Sequence, residues 1–259
     1  MPTVLITGAS VGIGHELAKQ FARAGYALVL TARNKEQLEI VAAEMKTLGA
    51  PSADVLTADL ADPAGPQHLV AQLADRPVDV LVNNAGFGAI GAFTEIDLPR
   101  QLDMIRVNVT ALVELTHRLL PRIVAAGKEG GVLNVASTAS FQPGPFMAVY
   151  YATKAFVLSF SEALAEELKK TGVRVTALCP GPTHSEFRAR AKAENSGIFK
   201  TSFIPVASAE AVAVAGFKAF RRGKRVVVPG VVNKLGVTAN RLAPRTFAAR
   251  VAGKINRNK

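Results

Sequence analysis

Apolar residues along this chain fall into short runs, separated by stretches in which they recur every three or four positions. Thr3-Val4-Leu5-Ile6 is one such run; it ends in a glycine-containing turn, after which Ile13, Leu17 and Phe21 recur at helical spacing. Ala27 to Thr31 reads as a second strand, followed by a polar helix from about Asn34 to Leu48. Val55-Leu56-Thr57 and Val78 to Val82 read as strands three and four, with a helix near Gln67 to Leu73 between them. A long helical stretch runs from Leu98 to Ala125, with Pro121 at a kink or first turn. Gly131 to Ser137 is a fifth strand, Tyr150 to Lys170 a helix, Val173 to Leu178 a sixth strand and Val226 to Val228 a seventh. Alternation of this kind implies an α/β fold: a single doubly wound parallel sheet with helices on both faces.

Composition adds limits. At 259 residues, 49% hydrophobic and 20% charged, the chain reads as an ordinary soluble globular protein. Cys179 is its only cysteine, so no intrachain disulfide forms. The opening MPTVLITGAS has neither the cationic start nor the apolar core of a secretory leader, and no apolar run is long enough to span a bilayer; a cytoplasmic protein is expected. The net charge of +11 belongs to one region. From Lys218 onward there are 12 basic residues and no acid, leaving 19 basic against 20 acidic residues in the rest.

The first strand-to-helix turn reads Thr7-Gly8-Ala9-Ser10-Val11-Gly12-Ile13-Gly14. Glycines here let backbone approach a pyrophosphate, while the following helix aims unpaired N–H groups at it. Later landmarks come in a fixed order: Asn83-Asn84-Ala85-Gly86 after the fourth strand, Asn134-Val135-Ala136-Ser137 ending the fifth, Tyr150 and Lys154 as YxxxK, and Cys179-Pro180-Gly181 closing the sixth. The TGxxxGxG turn and these segments together resemble the short-chain dehydrogenase/reductase family over roughly residues 3 to 230. That resemblance implies a Rossmann-type dinucleotide-binding and catalytic domain over residues 1–230. Residues 231–259 are then a basic amphipathic extension of the same domain.

The chemistry suits the residue types. Reducing a carbonyl needs a hydride on carbon and a proton on oxygen, and a free tyrosine, with a pKa of about 10, exchanges its proton poorly at neutral pH. A lysine ammonium one helical turn away, as Lys154 is from Tyr150, favours the phenolate. The resemblance makes Tyr150 the general acid or base, Lys154 its tuner and ribose ligand, and Ser137 a donor to the reacting oxygen. Asn108 matches the family's asparagine that holds a relay water; read alone, it is a satisfied core amide. Tyr151 is three residues from Lys154, so helix geometry leaves it open, while the YxxxK frame selects Tyr150.

Cofactor contacts are expected from Gly8, Ser10, Gly12, Ile13, Gly14, Asn84, Ala85, Gly86, Pro180 and Gly181, with Tyr150 and Lys154. By the resemblance, Asp59 contacts adenine and Thr183 lies near the nicotinamide carboxamide. NAD enzymes place an acid at the end of the second strand. Here Leu30-Thr31-Ala32-Arg33-Asn34 has none, and Arg33 can pair with a 2′-phosphate, which favours NADP(H) over NAD(H); a solvated surface arginine is the plain alternative, and Glu36 remains a competing acid.

The four histidines are scattered, so no metal is expected, and no nucleophile elbow or hydrolase triad is present. The segment from His184 to about Ser208 reads as a substrate cover. Phe187, Ile198, Phe199, Phe203 and Ile204, with Phe141, Phe146 and Met147, point to an apolar substrate: a 3-oxoacyl thioester, a steroid-like molecule or another ketone. In the tail, Phe247, Val251 and Ile255 form a helical stripe among cations, suited to covering the domain, a subunit partner or an anionic membrane surface. Nucleic acid is not an expected partner, for no aromatics interleave the charges. The family resemblance implies a dimer or tetramer. An NADP(H)-binding regulator without turnover is the competing class, against which the set Asn108, Ser137, Tyr150 and Lys154 argues.

Overall fold

The computed structural model describes residues 1–184 and 206–257. Its strands are β1 (Thr3–Thr7), β2 (Ala27–Ala32), β3 (Ala53–Thr57), β4 (Val80–Asn83), β5 (Gly131–Val135), β6 (Arg174–Leu178), β7 (Thr183–His184), β8 (Ala207–Ser208) and β9 (Val226–Val227). The helices between them are α1 (Gly12–Arg23), α2 (Lys35–Thr47), α3 (Gly65–Leu73), α4 (Leu98–Ile105), α5 (Ala111–Ala125), α6 (Ala148–Glu167), α7 (Ala209–Arg221), α8 (Val231–Leu242) and α9 (Arg245–Asn256).

Seven strands form one parallel sheet in the order β3-β2-β1-β4-β5-β6-β9, and β7 and β8 make a separate pair. Side-chain alternation along each strand divides the core in two. Val4 and Ile6 of β1 face a cluster with Leu17 and Phe21 of α1, Leu38 of α2 and Phe220 of α7. Leu5 faces the opposite cluster, with Leu69 of α3, Leu115 and Leu119 of α5 and Leu164 of α6. The connections diverge between β1 and β4, and such a switch point opens a crevice at the strands' C-terminal ends.

Three elements differ from the sequence pattern. The stretch from Leu98 to Ala125 is helical throughout but contains a π turn at Arg106–Thr110, where Ala111 N–H donates to Arg106 O. The β7–β8 pair and α7, whose start is capped by the Ser208 hydroxyl accepting from Ala211 N–H, had no counterpart in the apolar runs. In the tail, the buried side of α9 is Ala248, Ala252 and Asn256, not the Phe247–Val251 stripe, which stays exposed. Small residues face inward where α9 packs closely on the Pro145 ring: a Cβ on Gly253 would come within 3.3 Å of it. No helix among the described residues is long and apolar enough to cross a membrane.

Candidate active site

A cleft of about 1010 Å³ runs along the crevice between β1 and β4. One end is the glycine turn. Gly8 and Gly12 have φ of +64° and +62°, which side chains rarely adopt, and a Cβ on Gly14 would collide with Gly8 O and the Asn84 amide. Helix α1 begins at Gly12 with no side-chain cap and no acid in its first turn, so its leading N–H groups are left for a ligand.

The turn is held by residues at the end of β4. Asn84 Nδ2 donates to Thr7 O (2.9 Å) and Gly8 O (3.0 Å), and Asn84 N–H and Ala85 N–H both donate to Thr7 Oγ1 at 3.0 Å. Both Asn84 amide hydrogens are therefore spent inside the protein. Its side chain is a strut for the cradle, and the residue also lines the cleft. Thr7, which donates in turn to Val82 O, is the hub of this joint and was not singled out in the sequence beyond its place in the turn.

At the same end Arg33 is exposed on the cleft wall and enters no ion pair among the described residues. Asp59 also lines the wall, its carboxylate accepting from Ala61 N–H at 3.0 Å. Thr31 lines it too, and its buried Oγ1 has no hydrogen-bond partner. Ser10, Ile13, Ala85 and Gly86 complete this side.

The other end holds the chemistry. Ser137 follows β5 and accepts from Ala139 N–H at 3.1 Å, which fixes its hydroxyl at the start of a short 3₁₀ turn, Thr138–Phe141. Tyr150, on the first turn of α6, lines the same wall of the cleft. Lys154 is one turn further on and buried; its Nζ donates to Val135 O at 2.7 Å and lies 5.9 Å from the Tyr150 ring centroid. Burial lowers the Lys154 pKa to about 8. Burial also raises that of Tyr150 above its ordinary value, with the Ser137 hydrogen bond acting the other way. The loss of water is the largest influence on both groups.

Asn108 lies in the π turn. Its Oδ1 accepts from Phe87 N–H (3.1 Å), and its Nδ2 donates to Phe87 O and to Thr153 Oγ1, both at 3.0 Å. Both amide hydrogens are committed, and the side chain pins the segment following Gly86 to α6 beside Lys154. Gly86 is required there, since a Cβ would come within 2.9 Å of Asn108 Oδ1 and 3.4 Å of Lys154 Nζ.

Pro180, Gly181 and Thr183 border the cleft between its two ends; Pro180 O accepts from Thr138 N–H at 2.8 Å, and Thr183 Oγ1 donates to Gly181 O at 2.9 Å. Phe87, Ile90, Leu98, Val107 and Met147 make the beyond-Tyr150 side largely apolar. Tyr151 is buried next to Tyr150 with its hydroxyl donating to Asn256, so it is a wall residue. Cys179, beneath Lys154, is buried and its thiol pushed up to about 12, which leaves it protonated and unreactive. His184 is exposed, while Phe187, Ile198, Phe199, Phe203 and Ile204 lie outside the described residues.

A family model described as short chain dehydrogenase matches residues 2–196. The chain belongs to the short-chain dehydrogenase family. Sulfoacetaldehyde reductase 2 of Chromohalobacter salexigens is 39% identical over 187 residues, covering 71% of this chain and 73% of that protein. A short-chain dehydrogenase from Sphingobium yanoikuyae, solved in complex with NADPH, superposes with a TM-score of 0.82 at 34% identity, covering 93% of this chain and 94% of its own. The bulky-bulky ketone specific alcohol dehydrogenase from Comamonas testosteroni does so with 0.77 at 30% identity, covering 93% of each. This short-chain dehydrogenase is thus an oxidoreductase of the alcohol–carbonyl type that uses a nicotinamide cofactor. Its own residues fit such a group: the cradle admits no Cβ, the α1 N-terminus is uncapped, and Thr31 presents an unpartnered buried hydroxyl.

Proposed function

We propose that the enzyme is an NADP(H)-dependent dehydrogenase/reductase that interconverts a carbonyl and an alcohol on an apolar substrate such as a 3-oxoacyl thioester, a steroid-like molecule or another ketone. The observation that carries this reading is that Ser137, Tyr150 and the buried Lys154 come together on the wall of the cleft that also holds the glycine cradle.

The glycine turn, Asp59, Ala85, Gly86, Pro180, Gly181 and Thr183 would hold the dinucleotide, with Arg33 on its 2′-phosphate. When bound, NADPH supplies the hydride to the carbonyl carbon. Ser137 donates to the substrate oxygen, and Tyr150 transfers its proton to that oxygen as the charge develops. Lys154 remains beside the resulting phenolate and stabilises it by charge, a role realised only when that charge appears. Asn108 acts by position, holding Phe87 and α6 in register. The wall from Phe87, Ile90, Leu98 and Met147 supports an apolar substrate, and the likeness to the NADPH-bound and bulky-ketone-specific enzymes agrees with this reading. A cytoplasmic location and a dimer or tetramer complete the proposal; exposed Leu98, Leu102 and Ile105 on α4 and Phe156 on α6 offer apolar surface for subunit contact.

The test follows NADPH loss at its nicotinamide absorbance across aldehydes, ketones, ketosteroids and 3-oxoacyl thioesters. Turnover that falls by about 10²–10⁴ in Tyr150→Phe is the expected result. Equal turnover in both proteins removes Tyr150 as the acid. Cofactor binding without turnover of any class moves the reading to an NADP(H)-binding regulator.

A further inference from the structure

We propose that the outward side of α8 and α9 is a docking surface for an anionic lipid bilayer. This proposal does not depend on the reductase reading. The two helices carry Val231, Val232, Leu235, Leu242, Phe247 and Val251 exposed, with Leu242 at 84% and Leu235 at 66%. At 100° per residue, Val231, Leu235 and Leu242 fall on one stripe of α8, opposite the buried Val237. On α9, Phe247 and Val251 fall beside Arg250 and Lys254, away from the buried Ala248, Ala252 and Asn256. Exposed Lys234 and Arg245 flank this surface, and none of the four cations Lys234, Arg245, Arg250 and Lys254 is in an ion pair among the described residues; Arg241 turns instead to the body of the domain, its guanidinium 5.4 Å from the Phe141 ring centroid.

Charge selects the occupant. The chain has no acidic residue after Glu210, so a second copy meeting this face with the same face would set cations against cations. Nucleic acid would match the charge but not the aliphatic stripe, which offers no stacking platform beyond Phe247. Alternating apolar and cationic side chains on a helix pair is the surface that enters an anionic headgroup layer: the apolar chains reach the acyl boundary while the cations stay among the phosphates. The inward side of α9 reaches the cleft wall through Asn256, which accepts from the cleft residue Tyr151, and the Arg257 guanidinium lies 5.2 Å from the Phe146 ring centroid. Docking therefore places the apolar end of the cleft close to the bilayer.

The experiment is co-sedimentation of the full chain with vesicles of phosphatidylglycerol and phosphatidylcholine, and with phosphatidylcholine alone, at low and high salt. Two variants accompany it: Leu235→Ser/Phe247→Ser/Val251→Ser and Lys234→Gln/Arg250→Gln/Lys254→Gln. Both substitute exposed positions, and melting temperature checks their folding. Binding confined to the anionic vesicles, released by salt, is expected. It should weaken about fivefold per cation removed, so roughly a hundredfold in the charge variant, and about tenfold or more in the apolar variant. Equal binding to both vesicle types, or no binding, overturns the proposal. So does an apolar variant that binds vesicles like wild type, or one whose sedimentation shows a smaller oligomer, which would make the face a contact between copies.

Discussion

The Tyr151 hydroxyl donates to Asn256 Oδ1 at 3.2 Å, joining the residue beside the proposed proton donor to the last turn of α9 across 105 positions of sequence. Asn256 is fully buried and its Nδ2 donates to Pro145 O at 2.9 Å, so one amide ties α6, the Pro143–Met147 loop and the tail together. Gln142 joins the same cluster through Tyr151 and through Asn240 of α8.

Replacing Asn256 with leucine strands the buried Pro145 carbonyl and leaves the buried Tyr151 phenol with Gln142 alone. The expected cost is about 3 kcal/mol, a fall of roughly 10 °C in melting temperature. Because the cluster borders the apolar end of the cleft, KM for the carbonyl substrate should rise while the dissociation constant for NADPH, measured by nicotinamide fluorescence, stays put. Tyr151→Phe removes only the donor, and a double-mutant cycle with Asn256→Leu should return a coupling of about 1 kcal/mol. Additive effects would show that the hydrogen bond does not join the two sites.

Lys154 exposes a conflict between stability and function. Its pKa is about 8 in the fold against 10.5 when unfolded, so between those values the unfolded chain binds more protons and stability rises with pH. Below pH 8 the full penalty of burying the ammonium applies, of the order of 3 kcal/mol. Lys154→Met should therefore melt at higher temperature than wild type at neutral pH, with the gap closing as pH climbs above 8, and should be inactive. The comparison belongs below pH 10.0, the ordinary tyrosine value, above which Tyr150, pushed up by burial, acts in the opposite direction. A variant less stable than wild type at pH 7 would mean that the hydrogen bond to Val135 O outweighs desolvation.

Arg33→Ala tests the coenzyme choice. A guanidinium on a phosphate contributes about 1.5–3 kcal/mol, so KM for NADPH should rise by roughly 10- to 100-fold. KM for NADH, which has no 2′-phosphate, should hardly change. Parallel losses for both would place Arg33 outside the phosphate contact.

Much of this was written in local pattern. The strand runs and helical spacings gave the sheet and its order of chemistry because each is a short-range signal set by burial on two faces. The glycine turn was readable because a collision or a positive φ restricts Gly8, Gly12 and Gly14 whatever lies far away in sequence. The amides were less legible. Asn84 and Asn108 spend their donors on carbonyls of Thr7, Gly8 and Phe87, partners fixed only by tertiary contact. The buried chain Thr116–Asn83–Asn134–Ser161 was silent for the same reason: its members meet only when β4 pairs with β5. In α9 the stripe was legible but what it faces was not, because tertiary contact decides it: Ala248, Ala252 and Asn256 take the inward side.

The joint between Thr7 and Asn84 also orders events in time. Its partners are 77 residues apart, and β1 gains β4 as a neighbour only after β2, β3 and the helices between them have been threaded past. Local helices can form at once, whereas this pairing must wait for a long loop to close. The phosphate cradle is therefore a late product of folding, and coenzyme fluorescence should lag far-ultraviolet circular dichroism when the chain refolds. Nicotinamide binding then reports a finished sheet, and cannot rescue a chain whose β4 has failed to dock.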